Sequence, residues 1–209
     1  MDEIAAGLGI TPGLRLADAR AILPELALAP AAPEADRRFL EGLALACLRY
    51  TPLVAIDPAD TALSLDITGS AHLFGGEQGL LADLAARLDR QGLGHRLAIA
   101  DNPALAWAWA RYDRPPILDG TAAAGAISDL PVQALRVGVD TTTALIRLGI
   151  RTLGQLQTLT ERALVQRFGR ELVLALHRLT GAVSLPFTPL REAPRFAAGI
   201  GWPEPIGRT

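Results

Sequence analysis

The hydrophobic pattern along this chain switches from a helical period to a strand-like period and back. Residues 14 to 22 read as a short helix after the turn Thr11-Pro12-Gly13, closed by Pro24. Pro30 to Pro33 is linker-like, and residues 35 to 50 predict a longer helix with Phe39, Leu43, Cys47 and Tyr50 on one stripe. The period then becomes two. Thr51 to Asp57 and Ala62 to Thr68 are strand-like runs around Pro58-Ala59-Asp60-Thr61, a hairpin signal. In the second run Leu63, Leu65 and Ile67 share one face, with Ser64, Asp66 and Thr68 on the other. The loop Gly69 to Gly76 leads to a helix over about 78 to 90 with Leu80, Leu81, Leu84 and Leu88 inward, and His95 to Ala100 predicts a further strand.

Asn102 followed by Pro103 marks a helix start, and Trp107, Trp109 and Tyr112 on that helix are expected to pack. After Pro115-Pro116 the character changes, and residues 121 to 181 hold only short helices. Asp140 is expected to cap the helix ending at Gly149, Thr152 the next, and Thr160 one ending near Gly169, with Gly181 closing the last. From Pro186 the chain is proline-rich and reads as a linker. Strand, strand, helix, strand, helix outlines an α/β layer with an antiparallel component, so the fold class is α/β plus α.

Composition changes this picture little. The 209 residues are half hydrophobic, enough for one large core or two small ones. The net charge of −2 does not advertise nucleic-acid binding, although a near-neutral total can hide a basic face. Every basic residue apart from histidine is arginine, which suits bidentate phosphate contacts but follows more simply from a GC-rich coding bias. The lone cysteine, Cys47, lies in an apolar helical pattern, so no disulfide within the chain is possible and a reducing, cytoplasmic location is expected. Asp2 and Glu3 do not look like the start of a signal peptide, and no apolar run approaches a membrane span. His72, His95 and His177 lack ligand spacing.

Three segments resemble the Y family of translesion DNA polymerases. GITPGLRLADARAILPEL resembles the fingers segment after the first palm strand, TPLVAIDPADTALSLDITGSAHLFGG the palm hairpin, and LPVQALRVGVDTTTALIRLGIRTLGQLQTL the thumb with its helix-hairpin-helix. Their order matches over roughly residues 7 to 185, and the pairing of DITG.AHLFGG with AIAD.PALAWA.AR resembles the ImuB-like branch. The resemblance implies a fingers fragment over 1–27, a palm over 28–118, a helical thumb over 119–185 and a linker over 186–209. It also implies that the chain starts after the first palm strand and stops short of the family's C-terminal domain.

The family joins a nucleotide to a primer end with two metal ions held by acidic residues. Active members supply one aspartate from an N-terminal strand and an Asp-Glu pair from the palm hairpin. Asp57 matches that aspartate, but Pro58 stands where the glutamate belongs, and proline offers no carboxylate. Asp57 is therefore a residual catalytic position. Asp60 lies in the turn and Asp66 on a polar strand face, and neither is expected to replace the missing ligands. No metal is expected, with Mg²⁺ implied only if the chain is part of an active polymerase. In the thumb hairpin a Gly-hydrophobic-Gly turn would face a phosphate, and only Gly138 of that pair is present in RVGV, with Arg136 at the other position. Arg136 either replaces the lost amide contact with a charged one or is a solvated side chain. Arg136, Gly138, Arg147 and Arg151 are the candidate DNA contacts. QLQTL, residues 155 to 159, is similar to clamp-docking peptides, but its helical pattern favours Leu156 and Leu159 as core.

The resemblance thus implies an accessory role in damage-induced mutagenesis. It would bridge an error-prone DnaE-type polymerase, a RecA-like ImuA-type protein and, through a region outside this chain, the sliding clamp, with weak non-specific DNA contact and no membrane. The alternatives are part of an active Y-family polymerase and a plain helix-hairpin-helix DNA-binding module.

Overall fold

A computed structural model describes residues 3–11, 13–57, 62–112, 114–118, 123–184 and 186–190. The chain forms two compact units, Met1–Phe39 and Leu40–Thr209. The first holds α1 (Glu3–Gly7), α2 (Leu16–Ile22) and the start of α3 (Pro33–Cys47). Ala19 is its one buried residue among those described, while Leu14, Leu16 and Ile22 stay exposed.

The second unit contains two hydrophobic clusters. One gathers Ala44 and Cys47 of α3, Tyr50, Val54 and the buried leucines Leu80, Leu84 and Leu88 of α4 (Glu77–Arg90). Spacings of four along α4 place those leucines on one face, and Leu81 beside them is half-buried. The expected stripe on α3 stops short: Phe39 is 57% exposed, and packing of the stripe against the cluster begins at Leu43. The Tyr50 ring lies 5.1 Å from that of Phe74, and its hydroxyl donates to Asp83 Oδ2 at 2.5 Å. This bond holds the Asp83 carboxyl below its usual range, while burial pushes the Tyr50 hydroxyl up.

Over this cluster lies an antiparallel hairpin of β1 (Val54–Ile56) and β2 (Leu63–Leu65), with Val54 opposite Leu65 and Ile56 opposite Leu63. Val54, Ile56, Leu63, Leu65 and Ile67 face the cluster, as the alternation predicts. The turn 58–61, which includes Pro58 and Asp60, lies outside the described residues. The other edge of β1 is met by the chain's later part: the Leu190 amide donates to the Val54 carbonyl at 2.6 Å, and Leu190 packs on the cluster. Part of the segment read as a linker from Pro186 thus lies against an edge of β1.

The strand expected over His95–Ala100 is reduced to a single parallel bridge, Ile99 with Ile117. The Ile99 amide donates to the Pro116 carbonyl at 2.8 Å, and the Leu118 amide to Ile99 at 3.1 Å. Pro115 and Pro116 have no amide hydrogen, so the ladder cannot extend toward the N-terminus of that partner segment.

The second cluster is all-helical in origin. It joins α5 (Pro103–Arg111), α6 (Ala123–Ser128), a 3-10 turn (Val132–Leu135), α7 (Val139–Arg147), α8 (Leu153–Gln157), α9 (Glu161–Phe168) and α10 (Arg170–Thr180) around Leu130, Leu145, Leu153, Leu156, Leu164 and Leu172. Asn102 caps α5 by accepting from the Leu105 amide at 2.9 Å, and its side-chain amide donates to the Leu179 carbonyl at 3.1 Å, so one residue secures two helix ends. Thr152 forms a capping box with Gln155, Thr160 caps α9, and Gly181 ends α10 at φ 80°. Asp140 is not a cap: α7 begins at Val139 with Gly138 as its N-cap, two residues earlier, and Asp140 instead places negative charge in the first turn. Leu156 is fully buried but Leu159, expected beside it, is 40% exposed, because α8 ends at Gln157 and turns the chain outward.

Gly79 explains part of the FGGEQG run. A Cβ there would sit 1.9 Å from the Phe74 carbonyl oxygen, which belongs to the 3-10 turn Ala71–Phe74 packed against the start of α4. No side chain fits without moving backbone. Gly79→Ala is expected to destabilise the chain by about 1–3 kcal/mol, since overpacking must displace that turn. Urea unfolding checks this, with Gly94→Ala, where nothing lies within 4 Å of the added carbon, as the tolerated control.

Candidate functional site

Strand periodicity sends Val54 and Ile56 into the core and Asp57 to the opposite side. The Asp57 amide donates to the Ala62 carbonyl at 2.9 Å, so Asp57 is fixed by the hairpin ladder just before its turn. Its carboxylate meets a side chain 79 residues away. Arg136 Nη2 donates to Asp57 Oδ1 at 2.9 Å, and Arg136 Nη1 donates to Asp57 Oδ2, giving a two-pronged ion pair. The guanidinium also lies over the Trp107 ring of α5, 4.5 Å from its centroid. The Arg136 and Asp57 side chains are 31% and 18% exposed.

Arg136 is held in place by its backbone. The Val132 amide donates to the Arg151 carbonyl at 3.0 Å and the Leu153 amide to Leu130 at 2.9 Å, clamping the segment beneath. Val132, Ala134 and Leu135 bury in the helical cluster. The chain then reverses at Arg136, whose φ of 55° makes it the one non-glycine residue with positive φ among those described. Its amide donates to the Gln133 carbonyl at 3.1 Å. The left-handed position of the RVGV turn is thus occupied by the arginine and not by Gly138. Gly138 has φ −51° and ψ 148°, an ordinary extended conformation, with open space where a Cβ would stand.

The four candidate DNA contacts do not form one cluster. Arg136 and Gly138 share the turn. Arg151 is exposed, and its backbone adjoins the segment leading to that turn. Arg147 is exposed in the last turn of α7, roughly 13 Å along the helix axis from Gly138. Neither Arg147 nor Arg151 makes an ion pair with a described residue.

The described residues do not fit a pair of catalytic metal ions. Both Asp57 oxygens accept from Arg136. Asp66 serves its own strand: its Oδ1 accepts from the Thr68 amide at 3.0 Å, and bonds from the Thr68 hydroxyl and amide hold its carboxyl below the usual range. His95 Nδ1 lies 3.0 Å from the Leu93 carbonyl, and His177 Nε2 lies 2.7 Å from Glu161 Oε1. No group of three His, Cys, Asp or Glu that could hold an ion occurs among the described residues.

Sequence reasoning missed both the pairing of Asp57 with Arg136 and the role of Trp107, which reads as packing alone. One signal was present: Asp57 and Arg136 are opposite charges at the two places where the sequence departs from the pattern it resembles. The strain at Arg136 has a direct consequence. Arg136→Gly and Arg136→Ala lose the same ion pair, but glycine relieves the left-handed backbone, so the glycine variant is expected to be about 1 kcal/mol the more stable in denaturant titrations.

Among the described residues no helix is long and apolar enough to cross a membrane. The chain is 43% identical over 200 residues to Protein ImuB of Caulobacter vibrioides, an alignment covering 95% of this chain and 43% of that protein. It is 27% identical over 172 residues to DNA polymerase IV of Moorella thermoacetica, covering 80% of this chain and 43% of that one. The chain thus spans less than half the length of these curated relatives. In fold it resembles DinB from Sulfolobus solfataricus, with a TM-score of 0.71 at 19% identity over 90% of this chain and 57% of that one. A Dbh ternary complex gives 0.70 at 18% identity, again over 90% of this chain and 58% of the other. Residues 2–111 match the impB/mucB/samB family, and with the Y-family polymerase fold around them they show that this chain belongs to that family.

Proposed function

We propose that the chain is the polymerase-like part of an accessory factor in DNA damage tolerance and mutagenesis, and that it does not itself transfer nucleotides. The observation that carries this reading is the closure of Asp57 by Arg136. The carboxylate that would face a metal ion in an active relative accepts instead from a guanidinium. The similarity to Protein ImuB, which exceeds that to DNA polymerase IV of Moorella thermoacetica in identity and coverage, supports the same assignment. On this reading residues 28–118 act as a palm, and the turn at Arg136–Gly138 with α7 and α8 acts as the helix-hairpin-helix of a thumb over 119–185. Arg147 and Arg151 reach a DNA backbone there without reading bases. An error-prone DnaE-type polymerase and a RecA-like protein are the partners proposed for the whole protein, with the sliding clamp bound outside this chain.

Two measurements test the reading. Primer extension with Mg²⁺ or Mn²⁺ is expected to give no template-directed incorporation; incorporation lost in Asp57→Ala would establish an active polymerase instead. Fluorescence anisotropy with primer–template DNA is expected to show weak binding, indifferent to sequence. With about two phosphate contacts, affinity should fall roughly twelve-fold between about 50 and 200 mM salt. Arg147→Ala and Arg151→Ala should each weaken it and flatten the salt slope by about one contact. Sequence-selective binding, or binding untouched by salt, would overturn the assignment.

A further inference from the structure

Asp57 and Arg136 form the one ion pair among the described residues that joins the β-hairpin to the turn before α7. Its geometry is that of a guanidinium gripping a two-oxygen anion edge-on, and a backbone phosphate presents the same pair of oxygens to the same fork. We propose that the Asp57 carboxylate occupies the phosphate position on Arg136, so that the pair is a latch that DNA must displace. The inference rests on the proposed DNA contact and adds to it the reason that contact is weak.

Three features make exchange possible at this site. The pair is accessible, with 31% of the Arg136 side chain and 18% of the Asp57 side chain exposed, so an incoming anion does not have to enter a closed core. The guanidinium face rests on Trp107, which keeps its plane while its edge changes partner. The backbone beneath is fixed by the left-handed turn and by the Arg136 amide bond to Gln133, so opening the pair needs movement of side chains only. The cost of opening is the loss of a charge-assisted two-pronged bond. The gain is its replacement by another of the same kind, plus release of counterions from the DNA. Asp57 thus lowers affinity without abolishing it.

The test compares the parent chain with Asp57→Asn, Asp57→Ala, Arg136→Ala and the double variant Asp57→Asn/Arg136→Ala. Each is titrated by anisotropy into labelled primer–template DNA at low salt, after thermal unfolding has confirmed a parent-like transition. Either substitution at Asp57 serves if the other fails to fold. Removal of the carboxylate is expected to tighten binding by about ten-fold, as one competing charge-assisted contact is lost, and the gain should vanish in the double variant. Parent binding with no gain in the Asp57 variants overturns the latch and leaves the DNA contact standing. A gain that survives the loss of Arg136 also overturns it, since the effect would then be one of net charge alone. Absence of binding in the parent and in both Asp57 variants defeats the proposed DNA contact, and the latch with it.

Discussion

The pairing of Asp57 with Arg136 over Trp107 ties a strand of one hydrophobic cluster to the helical turn of the other. Its energetics are closely balanced. A hydrogen bond to a charged group contributes about 1.5–3 kcal/mol, and partial exposure to water reduces this. Against it stand about 1–2 kcal/mol for a left-handed arginine and up to about 2 kcal/mol of arginine rotamer entropy. The pair makes two such bonds and the guanidinium also lies over Trp107, so net stabilisation is at most a few kcal/mol. What the contact fixes is geometry, namely where the end of β1 stands relative to the turn before α7, and which partner the guanidinium holds.

That balance accounts for the pattern of burial around it. Leu130, Val132, Leu135, Leu153 and Leu156 lock the base of the turn, while Val54, Ile56, Leu63 and Leu65 lock the base of the hairpin. Apolar burial supplies the stability, at about 25 cal/mol per Å². The polar tie then needs only to select among arrangements that the two clusters already permit. A strained backbone residue persists where its surroundings over-determine it, and the clamps from Val132 to Arg151 and from Leu153 to Leu130 do that for Arg136.

Much of the local structure was legible in the sequence because it depends on neighbours in the chain. Asn102, Thr152, Thr160 and Gly181 cap or close helices where their types and spacing indicate, and the alternation over 62–68 orients the hairpin correctly. The failures come where distant residues decide. A strand at 95–100 needs a partner able to donate, and its partner begins with two prolines. Phe39 continues a helical stripe, but nothing covers the stripe that far. The candidate site falls in the second category. Asp57 and Arg136 were each identifiable as unusual, yet their meeting follows from the packing of two clusters and leaves no local pattern.

The same distinction bears on how a polymerase fold can change its chemistry. A carboxylate pair arranged for metal ions is held in mutual repulsion that the metals relieve. A carboxylate left with neither its partner nor a metal ion is stabilised by any nearby positive side chain. Arg136 offers that charge to Asp57 from a left-handed backbone. That backbone costs strain, and the guanidinium gives the Asp57 carboxylate a partner that also lies over Trp107. Strain at Arg136 and an unmatched charge at Asp57 are each unfavourable alone, and the ion pair between them offsets both.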